Sequence, residues 1–185
     1  MKFIKPFISK QEAYKLFSKK KKIFLKKSKI EKLELVYLPY YLFKLTVNFP
    51  DGEKEIFAAS DGIEGSFAYW SEKSIKFSRD GEGFVFDFII DSNKAKEKIE
   101  EEYRSILLLY NLKKKRNAWL NEIKKIDKFY YPYWIIYYRK RISYDFKILD
   151  AVSGEIQGIK MKRIFLIALN QDYKSFSKNK NRGNT

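Results

Sequence analysis

Between Ala95 and Tyr110, apolar residues recur at steps of four, four, three and four: Ala95, Ile99, Tyr103, Ile106 and Tyr110. That spacing places them on one face of a helix, and Asp91-Ser92-Asn93 just ahead offers side-chain oxygens to cap its first turn. Lys96 with Glu100 and Lys98 with Glu102 fall four apart on the outer side. A second helix is predicted near the N-terminus. There Ser9-Lys10-Gln11-Glu12 has the form of a capping box, Ala13, Phe17 and Phe24 follow at helical spacing, and the helix should end near residues 27–29. Trp119, Ile123 and Ile126 predict one more helical stretch.

Two long stretches, 33–47 and 129–143, are dense in Tyr, Phe, Ile and Val and read as strands. Counting by twos from the proline in each puts Tyr41, Phe43 and Leu45 on one face and Trp134, Ile136 and Tyr138 on its equivalent, where a core is expected. Tyr40, Leu42 and Lys44 take the opposite face, as do Tyr133, Ile135 and Tyr137. Pro39 and Pro132 cannot donate to a ladder, so each belongs at a strand start, an edge or a bulge. Further strands are predicted at 55–60, 83–90, 144–150 and 163–169, and residues 170–185 read as an aperiodic, flexible basic tail.

These elements fall into two similar series. Tyr37-Leu38-Pro39-Tyr40-Tyr41-Leu42-Phe43 and Tyr130-Tyr131-Pro132-Tyr133-Trp134-Ile135-Ile136 share a pattern 93 positions apart. Asp61-Gly62-Ile63-Glu64-Gly65-Ser66-Phe67 and Asp150-Ala151-Val152-Ser153-Gly154-Glu155-Ile156 share another at an offset of 89. Two matches in the same order predict a tandem duplication. The expected fold class is therefore α+β, a helix followed by an antiparallel sheet, twice over, with the two units packed together. Residues 1–90 would form the first repeat and 91–169 the second. Asp61 with Gly65, and Asp150 with Gly154, would be structural turns, Asp bonding the turn backbone and Gly supplying positive φ.

Composition narrows the chemistry. The chain has neither His nor Cys, which excludes disulfides, thiol nucleophiles, His bases and the usual zinc and haem sites. No glycine-rich phosphate loop is present. Asp61 and Asp150 are carboxylates in matching positions, but the turn role accounts for both, so no catalytic residue, metal or cofactor is assigned.

Charge admits two readings, a solvating surface from a lysine-rich composition with only seven Arg among 39 cations, or a functional basic face. The net charge is +16, concentrated at the ends: residues 1–29 hold eleven lysines against Glu12, 30–112 hold ten basic against sixteen acidic residues, and 113–185 hold eighteen against six. Lys19, Lys20, Lys21 and Lys22, with Lys113, Lys114, Lys115 and Arg116, are the candidate anion- or nucleic-acid-binding residues. Tyr40, Tyr133 and Tyr137 are the candidate partner-binding rings, able in principle to stack on bases or to line a protein groove. The lysines around Ile23, Phe24 and Leu25 would also suit an anionic membrane surface. No apolar run approaches the ~20 residues of a membrane span, and no signal peptide is visible, so a cytoplasmic location is expected.

A helix opened by Ile8-Ser9-x-x-Glu12-Ala13, then an aromatic strand, then a hairpin turning at 150–156, resembles the PepSY family and its cystatin-like helix-plus-sheet units. The first copy departs from that pattern, since Asp61-Gly62-Ile63-Glu64-Gly65 has no hydroxyl residue before the second glycine. The resemblance implies a non-catalytic module that binds or restrains another protein. The function expected from the sequence is accordingly a binding or regulatory module that takes a protein partner through an aromatic groove or a sheet edge. The alternative is a nucleic-acid-binding protein using the Lys-rich helix and aromatic strands.

Overall fold

The capping box at Ser9 forms reciprocally. The Ser9 amide donates to Glu12 Oε2 at 2.9 Å, and the Glu12 amide donates to Ser9 Oγ at 3.3 Å. Hydrogen bonds from the Ser9 hydroxyl and amide hold the Glu12 carboxyl below its usual pKa. This starts α1 (Lys10–Phe24). Asp91 caps α2 (Ser92–Lys114) by accepting the amides of Asn93 and Lys94, at 2.8 and 2.9 Å. The computed structural model describes residues 1–24, 29–70, 76–140 and 143–182, with only the backbone described at 19–24, 29, 140 and 173–182.

The strands are β1 (Phe3–Ile4), β2 (Lys29–Phe49), β3 (Gly52–Asp61), β4 (Phe67–Tyr69), β5 (Phe77–Ser78), β6 (Phe84–Val85), β7 (Trp119–Lys140) and β8 (Ser143–Asp150); α3 (Ile159–Arg182) closes the series. They form one eight-stranded sheet of order β4-β3-β2-β7-β1-β5, with β6 on β2 and β8 on β7. The sheet is mixed, because β1 runs parallel to β7 and β6 parallel to β2, whereas the β2–β3 and β7–β8 hairpins are antiparallel.

This overturns the expected fold class. Among the described residues there is no tandem of a helix followed by its own antiparallel sheet. Instead a single mixed sheet carries three helices, and the chain forms two units interleaved in sequence. One takes residues 39–75 and 87–129 with Met1, the other 2–38, 76–86 and 130–185. The physical cause lies in β2 and β7, which at 21 and 22 residues far exceed the usual ~5–6. Each gives one half to each unit, so a helix does not find its main partner in the hairpin that follows it.

In the first unit α2 buries Ala95, Ile99, Tyr103 and Leu107 against Tyr41, Phe43, Leu45 and Val47 of β2 and Ala58 of β3. Buried side chains such as Ile99 and Leu107 each contribute ~2 kcal/mol. In the second unit α1 buries Ala13 and Phe17 against Trp134 and Ile136 of β7, Leu149 of β8 and Ala151. The stripe on α2 shifts slightly from expectation: Leu107 is buried, while Ile106 and Tyr110 are half-buried. On its outer side Glu100 is taken by Arg104, 2.7 Å away. Glu placed N-terminal to its cation is the better orientation.

Other expectations are corrected. Residues 163–169 are helix, not strand, within α3. The run Ile164-Phe165-Leu166-Ile167-Ala168 buries positions 164, 165 and 168 and exposes Leu166, a helical period that a short all-apolar run does not reveal. The presumed tail continues that helix to Arg182. Trp119, Ile123 and Ile126 lie in β7, where pairing with β2 overrides a spacing that fits a helix equally well. Residues 83–90 supply only the two-residue β6.

Candidate functional site

The two Asp turns are built alike. Asp61 is buried, and its Oδ1 accepts the amides of Ile63, Glu64 and Gly65 at 3.0, 2.6 and 3.3 Å while Oδ2 accepts that of Ser66 at 2.6 Å. Asp150 Oδ1 accepts the amides of Val152 and Ser153 at 2.8 and 2.9 Å, and the Tyr131 hydroxyl donates to both of its oxygens at 3.0 Å. Gly65 and Gly154 have φ of +83° and +76°, the left-handed region where a Cβ is strained. The amide that follows each Asp reaches the proline carbonyl of the preceding strand, Gly62 to Pro39 and Ala151 to Pro132. Each carboxylate is thus engaged by its own turn. Asp61 belongs to the first unit and Asp150 to the second.

The aromatic candidates are placed in packing. Tyr40 is 7% exposed and stacks on Phe129 with centroids 5.6 Å apart. Tyr133 is 4% exposed and meets Phe165 of α3 edge-on at 5.6 Å. Neither ring offers a face to a base or a peptide. The strand faces opposite the expected cores are covered as well: Leu42 and Ile135 are buried. Tyr137 is half-buried, and burial, reinforced by the Glu34 carboxylate, pushes its phenol up to about 12.

The lysine candidates separate. Lys113, Lys114, Lys115 and Arg116 are exposed at the C-terminal end of α2. There Lys115 turns the chain with φ 50°, and the Lys115 amide donates to the Asn111 carbonyl. Lys19, Lys20, Lys21 and Lys22 lie on the α1 backbone, but their side chains fall outside the described residues. Among the described residues no cluster of three or more acidic side chains is placed to hold a metal, and no helix is long and apolar enough to cross a membrane.

A broad concavity lies in the second unit, between the first turns of α1 and the start of β2. It measures about 720 Å³ and is lined by Lys10, Gln11, Tyr14 and Lys15 from the helix and by Ile30, Glu31, Lys32 and Leu33 from the strand. Ile30 and Leu33 are half-buried against the α1 core and form an apolar floor, Tyr14 is 50% exposed above it, and three lysines outnumber one glutamate around the rim. On β2, β3 pairs from Tyr40 onward and β6 at Val36 and Tyr37. A smaller cavity of about 390 Å³ lies under the loop 78–82, where Lys5 and Arg79 balance Asp80 and Glu82. Burial and Glu82 raise the Tyr37 phenol there.

Sequence reading missed the groove. Lys10, Gln11, Tyr14 and Lys15 read as the solvated side of an amphipathic helix, and nothing local says that a strand edge faces them. No family model, curated protein or solved structure matches the chain.

Proposed function

We propose that the protein is a non-catalytic binding module that takes an extended, acidic and apolar peptide segment of a protein partner into the groove between α1 and β2. One observation carries this reading: an apolar-floored, basic-rimmed groove runs beside a stretch of β2, residues 30–35, that neither β3 nor β6 reaches among the described residues. An extended peptide added to such an edge gains main-chain hydrogen bonds, and alternate side chains enter the groove. Ile30 and Leu33 would receive apolar side chains; Lys10 and Lys15 would favour acidic ones, Lys32 being already paired with Glu34. Glu31, Lys32 and Glu34 along the same edge discourage pairing with a second identical strand. The buried positions of Tyr40 and Tyr133 weigh against base stacking, so no nucleic-acid reading is carried forward from the rings.

The test is to pan a random decapeptide display library on the full chain and map the selected peptides by hydrogen exchange. Acidic sequences with alternating β-branched residues should emerge, protect the amides of residues 30–35, and bind at least tenfold more weakly to Tyr14→Glu/Lys15→Glu. Tyr14 and Lys15 are exposed, so that variant should keep its fold. Failure to enrich any peptide, or protection confined to other residues, would overturn the reading.

A further inference from the structure

The last two turns of α2 present an aliphatic surface that its own core does not use. Leu108, Leu109 and Leu112 are 61%, 57% and 69% exposed, and their spacing of three and four places them on adjoining positions of one helix face. Trp119 is 56% exposed at the start of β7. It is held close to the helix end. Asn111 Oδ1 accepts the Ala118 amide and Asn111 Nδ2 donates to the Ala118 carbonyl, both at 2.8 Å, while the Lys115 and Arg116 amides reach the Asn111 carbonyl. The loop between leucines and tryptophan is therefore latched, not free. It carries Lys113, Lys114, Lys115 and Arg116, all exposed.

Charge is one-sided here. From Ser105 to Asn121 the sequence has no acidic residue. Asp51, on the β2–β3 turn, is bonded by Lys54 at 2.7 Å, and its carboxyl is held low by that bond and by the charges of Lys54 and Arg116. Exposed leucines with a tryptophan and a contiguous cation cluster match an interface with an apolar interior and an anionic skin. A bilayer of acidic phospholipid has both: acyl chains accept the leucines, the headgroup layer suits an indole, and the surface potential attracts lysines. Nucleic acid would engage the cations but has nothing for three leucines.

We propose that the C-terminal end of α2, through Leu108, Leu109, Leu112 and Trp119 with Lys113 to Arg116, seats the protein peripherally on an anionic phospholipid surface. This seat lies within the first unit and does not depend on the peptide groove of the second.

Vesicles of phosphatidylcholine with and without about one-third phosphatidylserine provide the test, read by co-sedimentation and by tryptophan emission. Trp134 is buried and Trp70 half-buried, so a blue shift on binding should come from Trp119 and vanish in Trp119→Phe. The intact chain should bind the anionic vesicles at least tenfold more tightly than the neutral ones. Leu108→Asn/Leu112→Asn should lose at least tenfold in that affinity with an unchanged melting temperature, and Lys113 to Arg116 changed to Gln should lose the preference for phosphatidylserine. Three outcomes would each overturn the proposal: no binding to anionic vesicles, binding indifferent to the leucines, or duplex DNA binding more tightly than the vesicles in a manner that depends on the cations alone.

Discussion

Asp61 and Asp150 occupy matching turns yet carry different loads. Asp61 is 1% exposed and satisfies four amides; Asp150 satisfies two and shares a hydroxyl with Tyr131. Removing an acceptor strands its donors, and donors stranded in a buried turn lose the most. Asp61→Ala should therefore cost ~3 kcal/mol and Asp150→Ala ~1.5 kcal/mol, measured as shifts in urea midpoint at constant slope. Equal losses, or none, would show that these turns do not depend on their carboxylates. The phenols make a second prediction. Burial, then Tyr69, pushes Tyr103 up to about 12, and burial, then Glu34, pushes Tyr137 up to about 12. Burial, then Asp145, raises Tyr138 further. A phenol whose folded pKa exceeds its unfolded value of ~10 stabilises the fold fully below that value and loses the contribution as pH climbs toward the folded one. Phenolate absorbance should rise in two waves, the later one accompanying alkaline unfolding between about pH 10 and 12. Tyr103→Phe should move that unfolding to higher pH. A single wave covering all fourteen tyrosines would contradict the burial of these rings.

At the level of elements, legibility followed the range of the forces involved. The capping box at Ser9, the Asp91 cap and the two Asp-to-Gly turns are set by residues within five positions of one another, and each was readable from spacing alone, while the α2 stripe was readable except at its C-terminal end, where Leu107 is buried in place of Ile106. The inward faces of the two long strands were readable too, since Tyr41, Phe43 and Leu45 and their counterparts Trp134, Ile136 and Tyr138 are all buried. What failed needed distant partners. Alternation puts Tyr40 and Tyr133 on the outer faces, and distant rings cover them there, Phe129 beside one and Phe165 of α3 beside the other. Ile164 to Leu169 fits strand or helix until something packs on it. Trp119, Ile123 and Ile126 fit a helix until β2 pairs with their segment. The groove was invisible for the same reason: Tyr14 and Leu33 lie on different elements whose juxtaposition no local pattern encodes.

For the whole molecule, the interleaving of the units decides what can fold alone. A break after Ile90 would divide the chain where the sequence pattern repeats, yet it would part both α1 and α2 from the strands that form most of their cores. The β2–β3 hairpin would keep Tyr41, Phe43, Leu45 and Val47 but lose Ala95, Ile99, Tyr103 and Leu107 of α2. Conversely, α1 would keep Ala13 and Phe17 but lose Trp134, Ile136, Leu149 and Ala151. Neither fragment could then bury enough apolar surface to offset the ~1–2 kcal/mol per residue of backbone ordering. Residues 1–90 and 91–185, prepared separately, should each lack a cooperative thermal transition and bind a hydrophobic dye; mixed in equal amounts, they should recover the aromatic circular dichroism of the intact chain. The outcome that discriminates is cooperative melting of residues 1–90 alone. A self-sufficient helix-plus-sheet repeat requires it, and a chain whose α1 and α2 find their cores in the other half's hairpin forbids it.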